Sequence, residues 1–343
     1  MSIKPVSLVI CGQEVKPGSR AKVELPVPQL YTHTQMKIPV HVVRGRKDGP
    51  RLFVSAAIHG DELNGVEIIR RLIHRSALGR LKGTLIAIPM VNVYGVIQYS
   101  RYLPDRRDLN RCFPGSERGA LAHRLAHLFM TEIVANATHG IDLHTGSQHR
   151  SNIPQIRADL EDEDTAKLAR AFGVPVVLNS RLRDGSLREA ASAKGIPLLL
   201  YEAGESLRFD ELSIRVGLRG IINVMRVIGM LPAARNPKKV EPFFALSTSW
   251  VRAPTSGILR NLVRLGGHVA KGDELGKIAD PFGETETTVH ASSTGIVIGR
   301  TNLPLVNEGD AVLHVAQFDR VGKVAEHVDA FHAEHAVEIV DDD

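Results

Sequence analysis

Between Leu52 and about Leu231 the chain alternates two patterns of apolar residues. "LFVSAAI" from Leu52 and "TLIAIPMVNV" from Thr84 are nearly continuous apolar runs, too short for helices, and predict buried strands. The segment from Glu62 to Arg75 places Leu63, Val66, Ile69 and Ile73 three or four apart, which predicts a helix with one apolar face. Leu121, Leu125, Leu128 and Ile133 define a second helical face. "GIDLH" predicts a short strand, "VPVVLN" and "IPLLLYEAG" predict strands on either side of the helical "SLREAASAKG", and Glu211 to Met230 predicts a long closing helix. Strands alternating with helices imply an α/β fold, a mostly parallel sheet with helices on both faces.

The flanks differ from this core. Residues 1–45 carry prolines among short apolar runs and read as an irregular β segment leading into a core at 46–235. "LPAARNPKKVEP" has three prolines and no periodicity, which marks a linker. Beyond it the sequence repeats. "APTSGIL" from Ala253 matches "ASSTGIV" from Ala291, and "VAKGDEL" from Val269 matches "VNEGDAV" from Val306. Each half reads as short strands joined by Gly-Asp turns, so 245–318 is expected to be a small all-β unit with quasi-twofold symmetry. This unit resembles lipoyl or biotinyl barrel-sandwich domains. Their modified lysine is missing from the connecting hairpin "IADPFGETETTVHA", so the resemblance implies the shape without the carrier chemistry. The tail 319–343, with His327, His332 and His335, reads as a helix with a frayed acidic end.

Composition narrows the function classes. At 343 residues, 43% hydrophobic and 24% charged, the chain is ordinary for a folded protein. A net charge of +5 with scattered Lys and Arg gives no nucleic-acid patch. The two cysteines, Cys11 and Cys112, are too few for a disulfide framework or a cysteine-rich zinc site. "MSIKPVSLVICG" lacks the apolar core of a signal peptide, and no run approaches a membrane span. The expectation is a soluble, cytoplasmic protein with no nucleic-acid or membrane partner and with a homo-oligomer left open.

Four stretches carry candidate chemistry. In "IHGDEL", His59 follows a predicted strand, and Glu62 stands three residues on at a helix start. In "GIDLHTGS", His144 also ends a strand, with Asp142 two residues before it. Ligands in open α/β sheets gather beyond the carboxyl ends of strands. Two His and one Glu leave a fourth zinc position for water, the ligand set of hydrolytic zinc. "SRYLPDRRDLNRCFPG" offers Arg101, Arg106, Arg107 and Arg111 with Asn110, groups suited to carboxylates and oxyanions. In "PLLLYEAGES" a strand ends at Glu202, a candidate general base, with Glu205 as its local competitor. His123 and His127 sit four apart in "HRLAH", which lacks the internal glutamate of a metalloprotease helix. His149 is close enough in sequence to His144 to line the same pocket.

Taken in order, "HGDE" at 59–62, "RDLNRCF" at 107–113, "DLHTG" at 142–146 and "YEAG" at 201–204 resemble the succinylglutamate desuccinylase and aspartoacylase family. The resemblance spans roughly residues 45–232 and implies a zinc-carboxypeptidase-like fold. It implies one zinc per chain held by His59, Glu62 and His144, and Glu202 as base and proton shuttle. It implies Asn110 and Arg111 as the grip on a substrate carboxylate. The family's earlier arginine near the scissile carbonyl corresponds to Arg101 or Arg107. The implied activity is zinc-dependent hydrolysis of a small N-acyl amino acid. The competing readings are a zinc carboxypeptidase acting on peptides and a non-catalytic metal- or ligand-binding protein.

Overall fold

The computed structural model describes residues 8–234 and 241–337. Part of the proline-bearing linker (235–240), the acidic end (338–343) and the side chain of His335 lie outside the described residues.

Four parallel strands form the centre of a mixed sheet. They are Lys82–Ile88, Lys47–Ala56, His139–Gly146 and Leu198–Glu205, adjacent in that order. Their inner residues, such as Phe53, Val54, Ile86, Ile141 and Leu199, are fully buried. Each such side chain stabilises the fold by roughly 1.5–3 kcal/mol. Residues 20–44 extend this same sheet: Met36–Arg44 pairs antiparallel with Lys82–Ile88, and Arg20–Val27 pairs antiparallel with Met36–Arg44. On the other edge, Arg150–Ala158 lies antiparallel to Leu198–Glu205 and parallel to Val176–Asn179.

Helices cover both faces. Asn64–Leu72, Glu163–Phe172 and Glu211–Val227 bury Ile68, Phe172, Ile214 and Ile221 against the face of Leu143, Leu199 and Tyr201. Asp162 and Asp210 cap two of them, accepting from the amides of Thr165 (2.7 Å) and Ser213 (3.1 Å). Helix Leu121–Glu132 covers Phe53 on the opposite face, where Phe129 meets it edge-on. The apolar run "TLIAIPMVNV" is not one strand. It pairs to Ile88, then Asn92 caps a short helix Val93–Ile97 by accepting from the Gly95 amide.

The repeat unit forms two layers over a core of Val251, Leu259, Leu275, Ile278, Val297 and Val315. One layer is a separate four-stranded sheet ordered Glu286–His290, Glu274–Ala279, Gly257–Asn261, Leu305–Val306. The other layer, Ser247–Arg252, Ala311–Gln317 and Gly295–Thr301, joins the main sheet where Gly299–Thr301 pairs with Arg150–Asn152. The helix Val321–Val337 packs Val324 and Val328 on Ile153, Val176 and Ile296. No helix among the described residues is long and apolar enough to cross a membrane.

Candidate active site

Three of the four central strands, Lys47–Ala56, His139–Gly146 and Leu198–Glu205, deliver polar side chains at or just beyond their carboxyl ends. Lys47–Ala56 ends in a turn with Ala57 at φ 53°, after which His59 accepts the Glu62 amide through its carbonyl (3.1 Å). Gly60 is needed here, because a Cβ would lie 2.0 Å from the Gly95 carbonyl carbon. The turn therefore packs directly on helix Val93–Ile97, and helix Asn64–Leu72 starts at once.

His59, Glu62 and His144 are brought together. One ligand atom from each lies within 4.8 Å of the others, and this is the sole such group of three among the described residues. All three are buried, at 3%, 2% and 5% exposure. His59 Nδ1 lies 2.8 Å from Glu62 Oε1, and His144 Nδ1 lies 2.7 Å from Glu62 Oε2. Each imidazole's other nitrogen faces a carboxylate: His59 Nε2 to Asp108 at 3.1 Å and His144 Nε2 to Asp142 at 2.7 Å. Asp142 is fixed in turn by the Ser55 hydroxyl at 2.7 Å.

The electrostatics follow from this pairing. Burial opposes ionisation of Glu62, yet His59 and His144 hold its carboxyl well below the usual range. Burial also works against charge on His144, but Asp142 and Glu62 raise it well above an ordinary imidazole. His59 is raised in the same way, by Glu62 and Asp108 against burial. Three buried groups of alternating charge tendency are mutually dependent. A divalent cation fits this donor set, since its charge replaces the protons shared between the Nδ1 atoms and Glu62. Carboxylates behind each imidazole are the usual support of histidine metal ligands.

The arginine-rich stretch divides. Arg101 reaches the cluster, with Nη2 3.0 Å from Asp108 and Nη1 3.4 Å from Glu62 Oε1. Arg107 is 53% exposed and sits 3.7 Å from Asp105, with no contact to the cluster. Asn110 is buried and its side-chain oxygen accepts the Leu187 amide at 2.9 Å, which ties this loop to helix Leu187–Ser192. The Arg111 side chain donates to the Asn110 carbonyl. Burial pushes its pKa down, as do Arg183 and Arg101, while Asp108 opposes them.

Glu202 lies directly across from His144 in the parallel ladder, so both project from one face. Its carboxylate is held by Arg157, which donates through Nε. Glu205 is committed elsewhere, accepting from Asn302 at 2.8 Å and facing Arg208 at 3.6 Å. His149 uses its carbonyl to receive the Asn302 amide at 2.7 Å. His123 and His127 lie on helix Leu121–Glu132, outside the cluster, and His327 packs edge-on against Phe243.

Two residues of the site were not singled out in the sequence. Asp108 lies inside "RDLNR", and its position between two arginine-bearing turns was the available signal. Arg157 gave none, because Arg150–Ala158 has no clean alternation of apolar and polar residues.

Comparison with known proteins matches residues 48–228 to the succinylglutamate desuccinylase/aspartoacylase catalytic domain. The chain is 26% identical over 293 residues to N-alpha-acetyl-L-2,4-diaminobutyric acid deacetylase of Halomonas elongata, covering 82% of this chain and 85% of that protein. A succinylglutamate desuccinylase of Pseudomonas paraeruginosa is 27% identical over 51% of this chain and 56% of its own length. Among solved structures, a succinylglutamate desuccinylase/aspartoacylase from Rhodobacter sphaeroides superposes with a TM-score of 0.79 at 27% identity, covering 88% of this chain and 96% of that one. The product-bound ectoine utilisation protein EutE (DoeB) from Ruegeria pomeroyi gives a TM-score of 0.79 at 25% identity, with the same coverage.

Proposed function

Because the chain belongs to the succinylglutamate desuccinylase/aspartoacylase family, we propose that it hydrolyses the amide of a small N-acyl amino acid. One observation carries the reading: the buried His59–Glu62–His144 group at the strand ends, backed by Asp108 and Asp142. Relatives that are deacylases of N-acyl amino acids support it.

In this proposal His59, Glu62 and His144 hold one zinc per chain. A zinc ion there polarises a carbonyl and lowers the pKa of water toward neutrality. Glu202 accepts the proton of the attacking water as general base and returns it to the departing amine nitrogen as general acid. Arg101 is poised over Glu62 and supplies a guanidinium to the developing oxyanion. Asn110 and Arg111 take the carboxylate of the amino acid. Their loop stands on helix Leu187–Ser192, which fixes its distance from the cluster. Residues 46–235 form the catalytic unit and the repeat unit at 245–318 borders the mouth of the site. A cytoplasmic location is part of the same reading.

Metal content and a base variant test this together. Purified protein should carry about one zinc per chain by the single complete ligand set. Glu202→Gln should keep that zinc and lose at least about a hundredfold in kcat for N-acyl amino acids. Zinc retained in His59→Ala and His144→Ala, or full activity in Glu202→Gln, would overturn the assignment.

A further inference from the structure

Gln155 is fully buried, and among the described residues neither its amide nitrogen nor its amide oxygen has a hydrogen-bond partner. Each unsatisfied group of this kind costs about 1–3 kcal/mol, so such a residue calls for a reason. Its place in the sheet supplies one. Gln155 stands directly across from Glu202 in the antiparallel ladder, and the two side chains share a face. On its other side Gln155 faces Val176, which offers no polar group. Glu202 is therefore the polar side chain that the orphan amide meets across the ladder. That carboxylate accepts from Arg157, two residues along the strand from Gln155.

A guanidinium is a poor companion for a working base. A charged donor grips a carboxylate more strongly than a neutral one. The neutral Gln155 amide orients a carboxylate while leaving it freer to turn toward a reacting water. A buried cation, Arg188, also feels the half-buried Arg157. Arg188 is pushed down to about 10, first by burial and then by Arg157. A second substrate carboxylate, on an acyl group such as succinyl and distinct from the one taken by Asn110 and Arg111, would give Arg157 an alternative partner beside these two guanidinium groups.

We propose that Gln155 is a positioning residue for Glu202: Arg157 latches the carboxylate in the resting protein, and the Gln155 amide receives it when a bound carboxylate draws Arg157 away. This rests on the reading of Glu202 as the base. The handover moves no covalent bond; it exchanges one donor for another.

The test has two arms. Gln155→Met keeps the volume and removes both polar atoms. Its thermal midpoint should equal or exceed that of wild type, because an unsatisfied amide is gone. Its kcat for an N-succinyl amino acid should fall at least tenfold with KM within twofold, and in a Glu202→Gln background it should change nothing further. A purely packing role predicts an unchanged kcat, or a loss that persists in the Glu202→Gln background, and either result overturns the proposal.

The second arm needs no turnover. With selective 15N-glutamine labelling, Gln155→Met assigns the Gln155 side-chain resonance in the zinc-loaded protein. Saturating succinate should shift that resonance in wild type and leave it unmoved in Glu202→Gln. No shift in wild type overturns the proposal. Should wild type hydrolyse no N-acyl amino acid, the proposed function fails by itself and the resonance alone decides this inference.

Discussion

His314 should make this protein sensitive to acid well above the carboxylate range. It is 3% exposed, its ring stacks on Trp250 at 4.3 Å, and its Nδ1 has no partner among the described residues. Burial, and then Arg157, push its pKa down from 6.5 to about 3. The folded state therefore refuses a proton that the unfolded chain accepts below about 6.5. Where the unfolded state binds more protons, stability rises with pH, by about 1.4 kcal/mol per pH unit for one proton. The penalty is absent above 6.5, grows as pH falls, and is complete near 3. Between pH 6.5 and 5 it amounts to about 2 kcal/mol. His314→Phe retains a flat ring against Trp250 and removes the titrating nitrogens. The assay is the thermal midpoint of wild type and His314→Phe at half-unit steps from pH 8 to 4.5. The two curves should run parallel above about pH 7 and diverge below 6.5, with the variant losing less. Parallel curves over the whole range would refute the reasoning, whatever the offset between them.

Glu67 gives a second pH effect at lower pH. Hydrogen bonds from Arg70, opposed by burial and joined by Arg71, lower it from 4.5 to about 2. That stabilisation is present above 4.5 and is lost as pH falls toward 2. Glu67→Gln should cost about 1–2 kcal/mol at pH 7, discounted because Arg70 faces solvent, and the gap in unfolding free energy should close in acid. An equal gap at pH 7 and pH 2.5 would contradict this. For the arginines, Arg101→Ala should lower kcat at least about tenfold while Arg107→Ala changes it less than twofold, since only Arg101 approaches Glu62. The reverse pattern in steady-state kinetics would move the oxyanion role to Arg107.

Much of the site was legible because chain order and space coincide there. His59, His144 and Glu202 each end an apolar strand, and parallel strands place those ends side by side. The order of short motifs then nominated Asn110 and Arg111, whose substrate role belongs to the proposal. Which of Arg101 and Arg107 approaches Glu62 was not legible, because it depends on how the loop folds back onto Asp108, and both arginines sit in similar local sequence. Arg157 and Gln155 were hidden for another reason. Their strand pairs with Leu198–Glu205, Val176–Asn179 and Gly295–Thr301, so its residues meet mixed surroundings and show no period. The repeat unit announced itself through its Gly-Asp turns, which are local. Its junction with the main sheet, through Gly299–Thr301 and Arg150–Asn152, is a pairing between residues about 150 apart that no local pattern encodes. The same holds for Arg20–Val27 and Met36–Arg44, readable as β structure but not as the edge of the main sheet.

The central claim is that the buried His59–Glu62–His144 group serves amide hydrolysis of N-acyl amino acids. The most direct measurement is the release of free amine from a panel of N-acetyl and N-succinyl amino acids by zinc-loaded protein, before and after chelation and after zinc is restored. At least one member of the panel should release amine, chelation should abolish that release, and zinc should restore it. No release from any member by folded, zinc-loaded protein, or release that persists undiminished after the metal is removed, would contradict it.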